Sequence, residues 1–427
     1  MDLANWLKQN GLSAEAYDAE SLLNQFLLEM QRGLDGQPSS LAMIPAYLGI
    51  EGTLPVDSPV AIIDAGGTNL RVGLVSFSKE GSMVLHHFEK QPMPGRDKIC
   101  SVDEFYTLLV DALEPFSDRF TSIGFCFSYP AEILPNHDGR LLAWTKEIKI
   151  PDLVGKEVGA GLQKKLEERG IKNRSLVLLN DTVATLFAGL AQGQSFNASS
   201  YIGFILGTGT NIAYVEQNKK IKKLPHLTQG KQIINVESGG FSCLKTTRFD
   251  QDLDAKSEHP GRHIFEKLIS GAYLGDLVLQ TAKALLSKNI FSTSATTYIN
   301  EQTSLSTIYI DNLSRNNVVD AGPLGSDLFT DTDHNILKTI FEHIVERAAL
   351  LTAVNLASAI IKSGAGTDSS HPICVNIDGS TYYKTNQLAS KTQTFLTPLL
   401  QARKLHIQTI QENDSPATGA AIAALTL

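Results

Sequence analysis

Cysteine is scarce in this chain: Cys100, Cys126, Cys243 and Cys374 are the only four among 427 residues. The nearest pair, Cys100 and Cys126, lies 26 positions apart. No C-x-x-C exists, which excludes a zinc knuckle or a thiol redox motif. Cys126 and Cys374 sit in apolar, strand-like runs and are expected to be reduced core thiols of a cytoplasmic protein. Positive charge is also short, with 37 Lys and Arg against 45 Asp and Glu, a net charge of −8. A broad nucleic-acid or anionic-membrane surface needs the opposite balance. A single phosphate ligand is not excluded, because a few backbone N–H groups and a metal ion can hold one. No apolar run reaches about 18 residues, so no transmembrane helix is expected. The start, Met1-Asp2-Leu3-Ala4-Asn5-Trp6, lacks the basic and apolar regions of a signal peptide. Several motifs are missing as well. There is no G-x-x-x-x-G-K-[ST], no G-x-G-x-x-G between strand and helix, and neither H-R-D nor D-F-G, which removes Walker-type, dinucleotide and protein-kinase sites. The ten histidines are dispersed, and Pro260-Gly261 interrupts the helical spacing of His259 and His263, so no metal site is expected from them.

What is present is globular composition, 42% hydrophobic and 19% charged. Length alone suggests about three domains. Residues 1–50 read as amphipathic helix, and 51–59 as a boundary rich in turn residues. Strands are expected at 60–63, 70–77, 83–88, 123–129, 176–179, 201–206, 212–215, 373–377 and 405–410. Helices are expected at 103–116, 154–169, 182–190, 264–286, 335–361 and 416–425, the last after Asp414-Ser415 as an N-cap pair. The basic run Lys219-Lys220-Ile221-Lys222-Lys223 reads as a solvated loop or hairpin tip. Alternating strands and helices define an α/β chain with mainly parallel sheets. One tripeptide recurs: Gly67-Thr68-Asn69 and Gly209-Thr210-Asn211, 142 positions apart, each in a strand–turn–strand setting. The shared setting points to a duplicated α/β unit.

A glycine turn between strands lets backbone N–H groups approach phosphate oxygens, since no Cβ intervenes. Thr68, Thr208 and Thr210 add hydroxyls, Arg71 can reach a phosphate oxygen, and Asp64 at a strand end can hold Mg²⁺ through water. Asn180-Asp181 follows a buried strand and precedes a helix. A carboxylate there serves either as a helix N-cap or as a general base, and local sequence alone favours the cap. Ser128, Thr145, Lys146, Asn211, Glu237 and Glu266 are polar residues beside strands or turns. Together they suit a multi-hydroxyl ligand, though spacing does not assemble them.

These segments resemble the hexokinase family, within the sugar kinase, Hsp70 and actin superfamily. Asp64-Ala65-Gly66-Gly67-Thr68-Asn69-Leu70-Arg71 is similar to the first phosphate motif, and Leu206-Gly207-Thr208-Gly209-Thr210-Asn211 to the second. Gly124 to Pro130, followed by Leu142-Ala143-Trp144-Thr145-Lys146, resembles the sugar signature. Leu179-Asn180-Asp181-Thr182 resembles the segment of the catalytic aspartate, and Asp378-Gly379-Ser380 the adenosine motif. Asn235 to Phe241 and Glu266 to Gly275 resemble later sugar-contact segments. Tyr129 and Ser238 depart from the usual Phe and Trp, and Ala131 and Glu132 also differ, all bordering the sugar pocket. The cysteine-rich zinc signature of the ROK sugar kinases is absent.

The resemblance implies two ribonuclease H-like domains around a central cleft, the actin-like ATPase or hexokinase fold. Residues 57–181 plus 414–427 would form the smaller domain, and 1–56 plus 182–413 the larger. It implies an ATP-dependent hexokinase using Mg²⁺, with a hexose, glucose foremost, as partner. Asp181, Lys146 and Arg71 would be catalytic. Ser128, Thr145, Lys146, Asn180, Asp181, Asn211, Glu237 and Glu266 would hold the sugar. Asp64, Gly66, Gly67, Thr68, Asn69, Arg71, Gly207, Thr208, Gly209, Thr210, Gly379 and Ser380 would hold nucleotide and metal. The alternatives are a catalytically weak sugar sensor, or an actin- or Hsp70-like ATPase with the same nucleotide clamp.

Overall fold

The two strand–turn–strand units expected from the repeated tripeptide each open a β-sheet. A computed structural model describes residues 2–52, 54–79, 81–144 and 148–427. Its strands are β1 Ile44–Pro45, β2 Val60–Ala65, β3 Asn69–Phe77, β4 Met83–Pro92, β5 Ser122–Phe127, β6 Ala131–Ile133, β7 Gly139–Leu141, β8 Ser175–Leu179, β9 Ser200–Leu206, β10 Thr210–Gln217, β11 Lys231–Asn235, β12 Ile373–Asp378 and β13 Ile407–Ile410. The first sheet has the order β4-β3-β2-β5-β8, and the second β1-β11-β10-β9-β12-β13. In both, three strands form an antiparallel meander and two more extend it in parallel. Leaving out the edge strand β1, the two sheets have one topology, as a duplicated unit requires.

Two helices lie between the sheets. Asp181–Ser195 follows β8, and Ser415–Leu425 closes the chain. One apolar cluster joins them to both sheets, with Ile62, Cys126 and Leu179 from the first and Ala213, Ile233 and Cys374 from the second. The helices touch at Gly419, where a Cβ would stand 1.8 Å from the Ala184 carbonyl oxygen, so only glycine allows that approach. The chain therefore crosses from the first sheet to the second at Asn180-Asp181, and returns before Ser415.

On the outer face of the first sheet, helices Val102–Leu113 and Val158–Glu168 enclose Phe105, Leu109, Phe125 and Leu162. Beyond the second sheet lies the largest core. Its spine is the helix Asp331–Ser363, begun by a capping box between Thr330 and Asp333 and ended by Gly364 at φ 67°. This helix is long and apolar enough to cross a membrane, although its sequence holds no unbroken apolar run of that length. Of its most apolar stretch, 89% is buried, so it is a core helix here.

Four local expectations are corrected. The helix expected over 264–286 is two, Ile264–Ile269 and Leu274–Leu285, because Gly271 donates its N–H to the Gly207 carbonyl instead of continuing the turn. The helix expected from Val154 starts at Val158, after a 3-10 turn at Pro151–Leu153. Asp414 precedes the last helix but does not cap it: it is left-handed at φ 49° and makes no capping bond. The basic run does lie between β10 and β11, yet Lys223 is half-buried. Its Nζ donates to the carbonyls of Ala42 and Met43 at 3.0 and 2.6 Å, and burial pulls its pKa down to about 8.

Candidate active site

Parallel strands of both sheets deliver their carboxyl ends to one region. Asp64 lies near the end of β2, Ser128 just past β5 and Asn180-Asp181 just past β8. On the other side are Gly207 after β9 and Asp378-Gly379 at the end of β12. Loops beyond strand carboxyl ends are where open α/β sheets place ligands.

Asn180, not Asp181, caps the helix: its Oδ1 accepts from the Thr182 N–H at 2.8 Å. Asp181 is thus the first helical residue, and its carboxylate accepts from the Thr182 hydroxyl at 3.3 Å. Around it stand other acids. Glu237 is held up from the ordinary carboxyl range by burial, and the charges of Asp181 and Glu266 push the same way. Asp378 is raised too, first by burial and then by Asp181 and Asp414, with Arg71 opposing.

Glu237 sits in the left-handed region at φ 57°, a strained position for this residue type. Its Oε1 accepts from Asn235 at 2.7 Å and Asn211 at 3.0 Å. Asn211, only 9% exposed, spends its whole amide internally: Nδ2 on Asn235 and Glu237, Oδ1 on the N–H groups of Ile212 and Ser238. Asn211, expected as a sugar contact, holds the Glu237 carboxylate, another residue expected to face sugar. Glu266 accepts from the Thr210 N–H at 2.9 Å, and a Cβ on Gly209 would collide with its Oε2 at 2.5 Å. Thr210, expected to face phosphate, turns both donors inward, its hydroxyl bonding the Ile205 carbonyl at 2.9 Å.

Each glycine turn is braced from outside. In the first, the Gly66 N–H donates to the Asn69 carbonyl, and the Tyr129 hydroxyl donates to the Gly66 carbonyl at 2.7 Å. A Phe at position 129 would lack that hydroxyl. In the second, the Gly207 N–H donates to the Gly209 carbonyl, while the Gly207 carbonyl accepts from Gly271 and from the Thr381 hydroxyl. Gly379, at φ 114°, leaves no room for a Cβ, which would lie 2.2 Å from the Leu206 carbonyl. Thr68, Thr208 and Ser380 are exposed. Arg71 spans the gap between the strand ends, 3.5 Å from Asp64 and 3.8 Å from Asp414.

The structure thus brings Asp64, Arg71, Ser128, Asn180, Asp181, Glu237 and Glu266 to one region, with both turns. Thr145 and Lys146 lie outside the described residues. Asp378, Asp414, Asn235 and Thr381 belong to the same region and were not named as site residues, although Asp378 and Asn235 fall within the expected adenosine and sugar-contact segments. The strand-end position of Asp378 matches that of Asp64 and was the available signal. Among the described residues, no cluster of three His, Cys, Asp or Glu side chains is arranged to hold a metal ion by itself.

Twin sheets of one topology, with their strand ends facing a shared polar region, define the two-domain actin-like fold of sugar kinases. Residues 201–426 match one family model described as Hexokinase, and residues 6–191 match a second with the same description. Hexokinase-7 of Oryza sativa subsp. japonica is 32% identical over 423 residues, covering 93% of this chain and 90% of that protein. The glucokinase of Aspergillus niger is 29% identical over 420 residues, covering 86% and 84%. The solved hexokinase of Schistosoma mansoni, complexed with glucose, superposes with a TM-score of 0.78 at 26% identity, covering 99% of this chain and 98% of that one. The chain belongs to the hexokinase family and is a hexose kinase, a phosphotransferase of a family of ATP-dependent kinases.

Proposed function

We propose that the protein transfers the γ-phosphoryl group of Mg·ATP to the carbon-6 hydroxyl of glucose and related hexoses, with Asp181 as general base. The observation that carries this reading is the position of Asp181. It is released from capping by Asn180 and stands within electrostatic reach of both Glu237 and Asp378, one from the expected sugar side and one from the expected nucleotide side. Glu237 and Glu266, with Ser128, Asn180 and the expected Thr145 and Lys146, would orient sugar hydroxyls, each of which both donates and accepts. Gly66, Gly67 and Thr68 of one turn, with Gly207 and Thr208 of the other, offer N–H and hydroxyl donors to phosphate. Arg71 adds charge where the transferred group acquires it.

The residues fit a magnesium–nucleotide pair, since Asp64 lies near the end of its strand beside the first glycine turn and the Thr68 and Thr208 side chains are exposed on the two turns. Asp64 would hold Mg²⁺ through water, and the ion would neutralise phosphate charge. Phosphoryl transfer asks mainly for positioning and charge stabilisation, so the base need not be strong. The chain divides, in this reading, into 57–181 with 414–427 and 1–56 with 182–413. A cytoplasmic location is part of the proposal, and the four free cysteines support it.

Incubation with Mg·ATP and a hexose panel should yield sugar 6-phosphate, and Asp181→Ala should lower kcat by at least ~10²-fold. A folded variant with near-parental kcat removes Asp181 from the role. ATP hydrolysis without sugar phosphate would favour the ATPase alternative.

A further inference from the structure

The turn that carries Glu237 is held from two sides. Glu237 is left-handed at φ 57°, and a non-glycine residue stays there only where its surroundings over-determine it. From the sheet side, the Oδ1 of Asn211 on β10 accepts from the Ser238 N–H at 3.2 Å. The Nδ2 of the same amide donates to the Glu237 carboxylate at 3.0 Å. From the core side, the Asn355 Nδ2 donates to the Ser238 hydroxyl oxygen at 3.0 Å. Asn355 lies in the helix Asp331–Ser363, the spine of the largest core, and both it and Ser238 are 0% exposed. A chain of hydrogen bonds thus runs from the core helix through Ser238 and Asn211 to the Glu237 carboxylate.

Residues 348–360 of that helix are buried throughout, and the polar side chains among them are Thr352, Asn355 and Ser358. Ser358 turns back on the carbonyl of Asn355, and the Thr352 hydroxyl finds no partner among the described residues. Asn355 is the one of the three whose side chain bonds another part of the chain. Only half of its amide is used: Nδ2 bonds Ser238, while Oδ1 is buried without a partner. A half-satisfied buried amide costs stability relative to an apolar side chain of like size. Stability alone therefore does not account for Asn355, whereas a task at Ser238 does. Ser238 also stands where the resembled family usually has tryptophan. An indole donates but does not accept, so the bond from Asn355 requires this chain's own residue.

We infer that Asn355 is a positioning residue for sugar binding: through Ser238 it fixes the left-handed turn that aims the Glu237 carboxylate. This rests on the proposed role of Glu237 toward a sugar hydroxyl. Preorganisation of this kind matters because a small misplacement of a binding group is felt at the ligand. The chain of bonds ends on Glu237, so loosening it should weaken the hold on sugar and leave the hold on nucleotide.

Three variants test the inference: Asn355→Leu, Ser238→Ala and the two combined. Each should raise the KM for glucose ~3–10-fold, the range of one neutral hydrogen bond, with kcat and the KM for Mg·ATP within about twofold of the parent. In the combined variant the two losses should not multiply, since they are one bond. Its thermal midpoint should return toward that of the parent, because two apolar partners leave no buried group unpaired, while its glucose KM stays raised. A glucose KM that recovers along with stability would make the pair merely structural and overturn the inference. Parental glucose KM in all three variants would do the same. A second readout involves no turnover. In the substrate-free protein, the amide proton of residue 238 should exchange with deuterium faster in Asn355→Leu than in the parent. Exchange at the parental rate would overturn the brace whether or not the parent phosphorylates sugar. Faster exchange in a protein that leaves glucose untouched would locate the failure in the hexokinase reading and refute a sugar role for Asn355. Ser238→Ala leaves the core helix intact and carries the same tests if Asn355→Leu does not fold.

Discussion

Asp181 is available for chemistry because its neighbour takes the structural task. Local sequence offers two carboxamide or carboxylate oxygens at the start of one helix, and either could cap it. Asn180 caps, so the acid is left at the first helical position. A similar division holds at Glu237, whose carboxylate is aimed by two amides, Asn211 and Asn235. Lys223 shows the opposite case, a charge where the sequence promised a solvated loop. Its pKa falls from 10.5 in the unfolded chain to about 8 in the folded protein. Below pH 8 both states are protonated and the full penalty of burying the ammonium applies. Between about 8 and 10.5 the unfolded chain holds a proton that the folded one has shed, so stability rises with pH. Denaturant titrations of the parent and Lys223→Met should therefore diverge, the parent gaining on the variant from about pH 7 to about pH 10. Parallel profiles would show that Lys223 keeps an ordinary pKa.

At the scale of elements, strands were more legible than helices. Apolar runs such as Ile62-Ile63 and Phe204-Ile205-Leu206 end at glycine turns, and the structure places β2 and β9 there. Helix limits were harder, because the features that decide them are tertiary. Nothing local breaks the apolar periodicity at Ser270 to Tyr273. The break exists because Gly271 and Thr381 both bond the Gly207 carbonyl from distant parts of the chain. The site was legible through its acids and glycines, since strand ends and turns carry sequence signals. Its bracing was not, because Asn235 and Thr381 look like ordinary residues until the sheets are assembled. The break bears on the second glycine turn, proposed above to hold phosphate. A Cβ at 271 would stand 2.2 Å from the Thr381 hydroxyl oxygen, so Gly271→Ala should push that hydroxyl off Gly207. The KM for Mg·ATP should rise ~2–10-fold, in keeping with loss of one neutral hydrogen bond, with the KM for glucose nearly unchanged. Thr381→Val removes the same bond without adding a methyl at 271 and should reproduce the effect. A change in glucose KM alone would count against this role for the turn.

At the scale of the molecule, two helices lie between the sheets, one carrying large side chains such as Leu186 and Phe187 and the other mostly small ones. The last helix is rich in alanine, Ala417, Ala420, Ala421, Ala423 and Ala424 all being buried, and Gly419 lets it lie against Ala184. Small side chains on that last helix interlock little with what faces them, which lowers the packing cost of any turn of one sheet unit against the other. Across that layer the facing groups are mostly acidic: Asp64 and Asp181 lie at strand ends of the first sheet, Glu237 and Asp378 at strand ends of the second, with Arg71 between Asp64 and Asp414. Bringing these carboxylates together is unfavourable until hydroxyl donors and a cation-bearing polyphosphate enter between them. The chain's net charge of −8 is therefore compatible with one polyphosphate, held by glycine turns and Arg71. Sugar would supply such donors, and closure around it would exclude water that could otherwise accept the phosphoryl group. Saturating glucose should shrink the radius of gyration in small-angle scattering, and Glu237→Gln should need more glucose for the same shrinkage because an amide is a weaker acceptor. A scattering profile identical with and without glucose would mean that the two units do not close on sugar, and the exclusion of water would then have to come from loops alone.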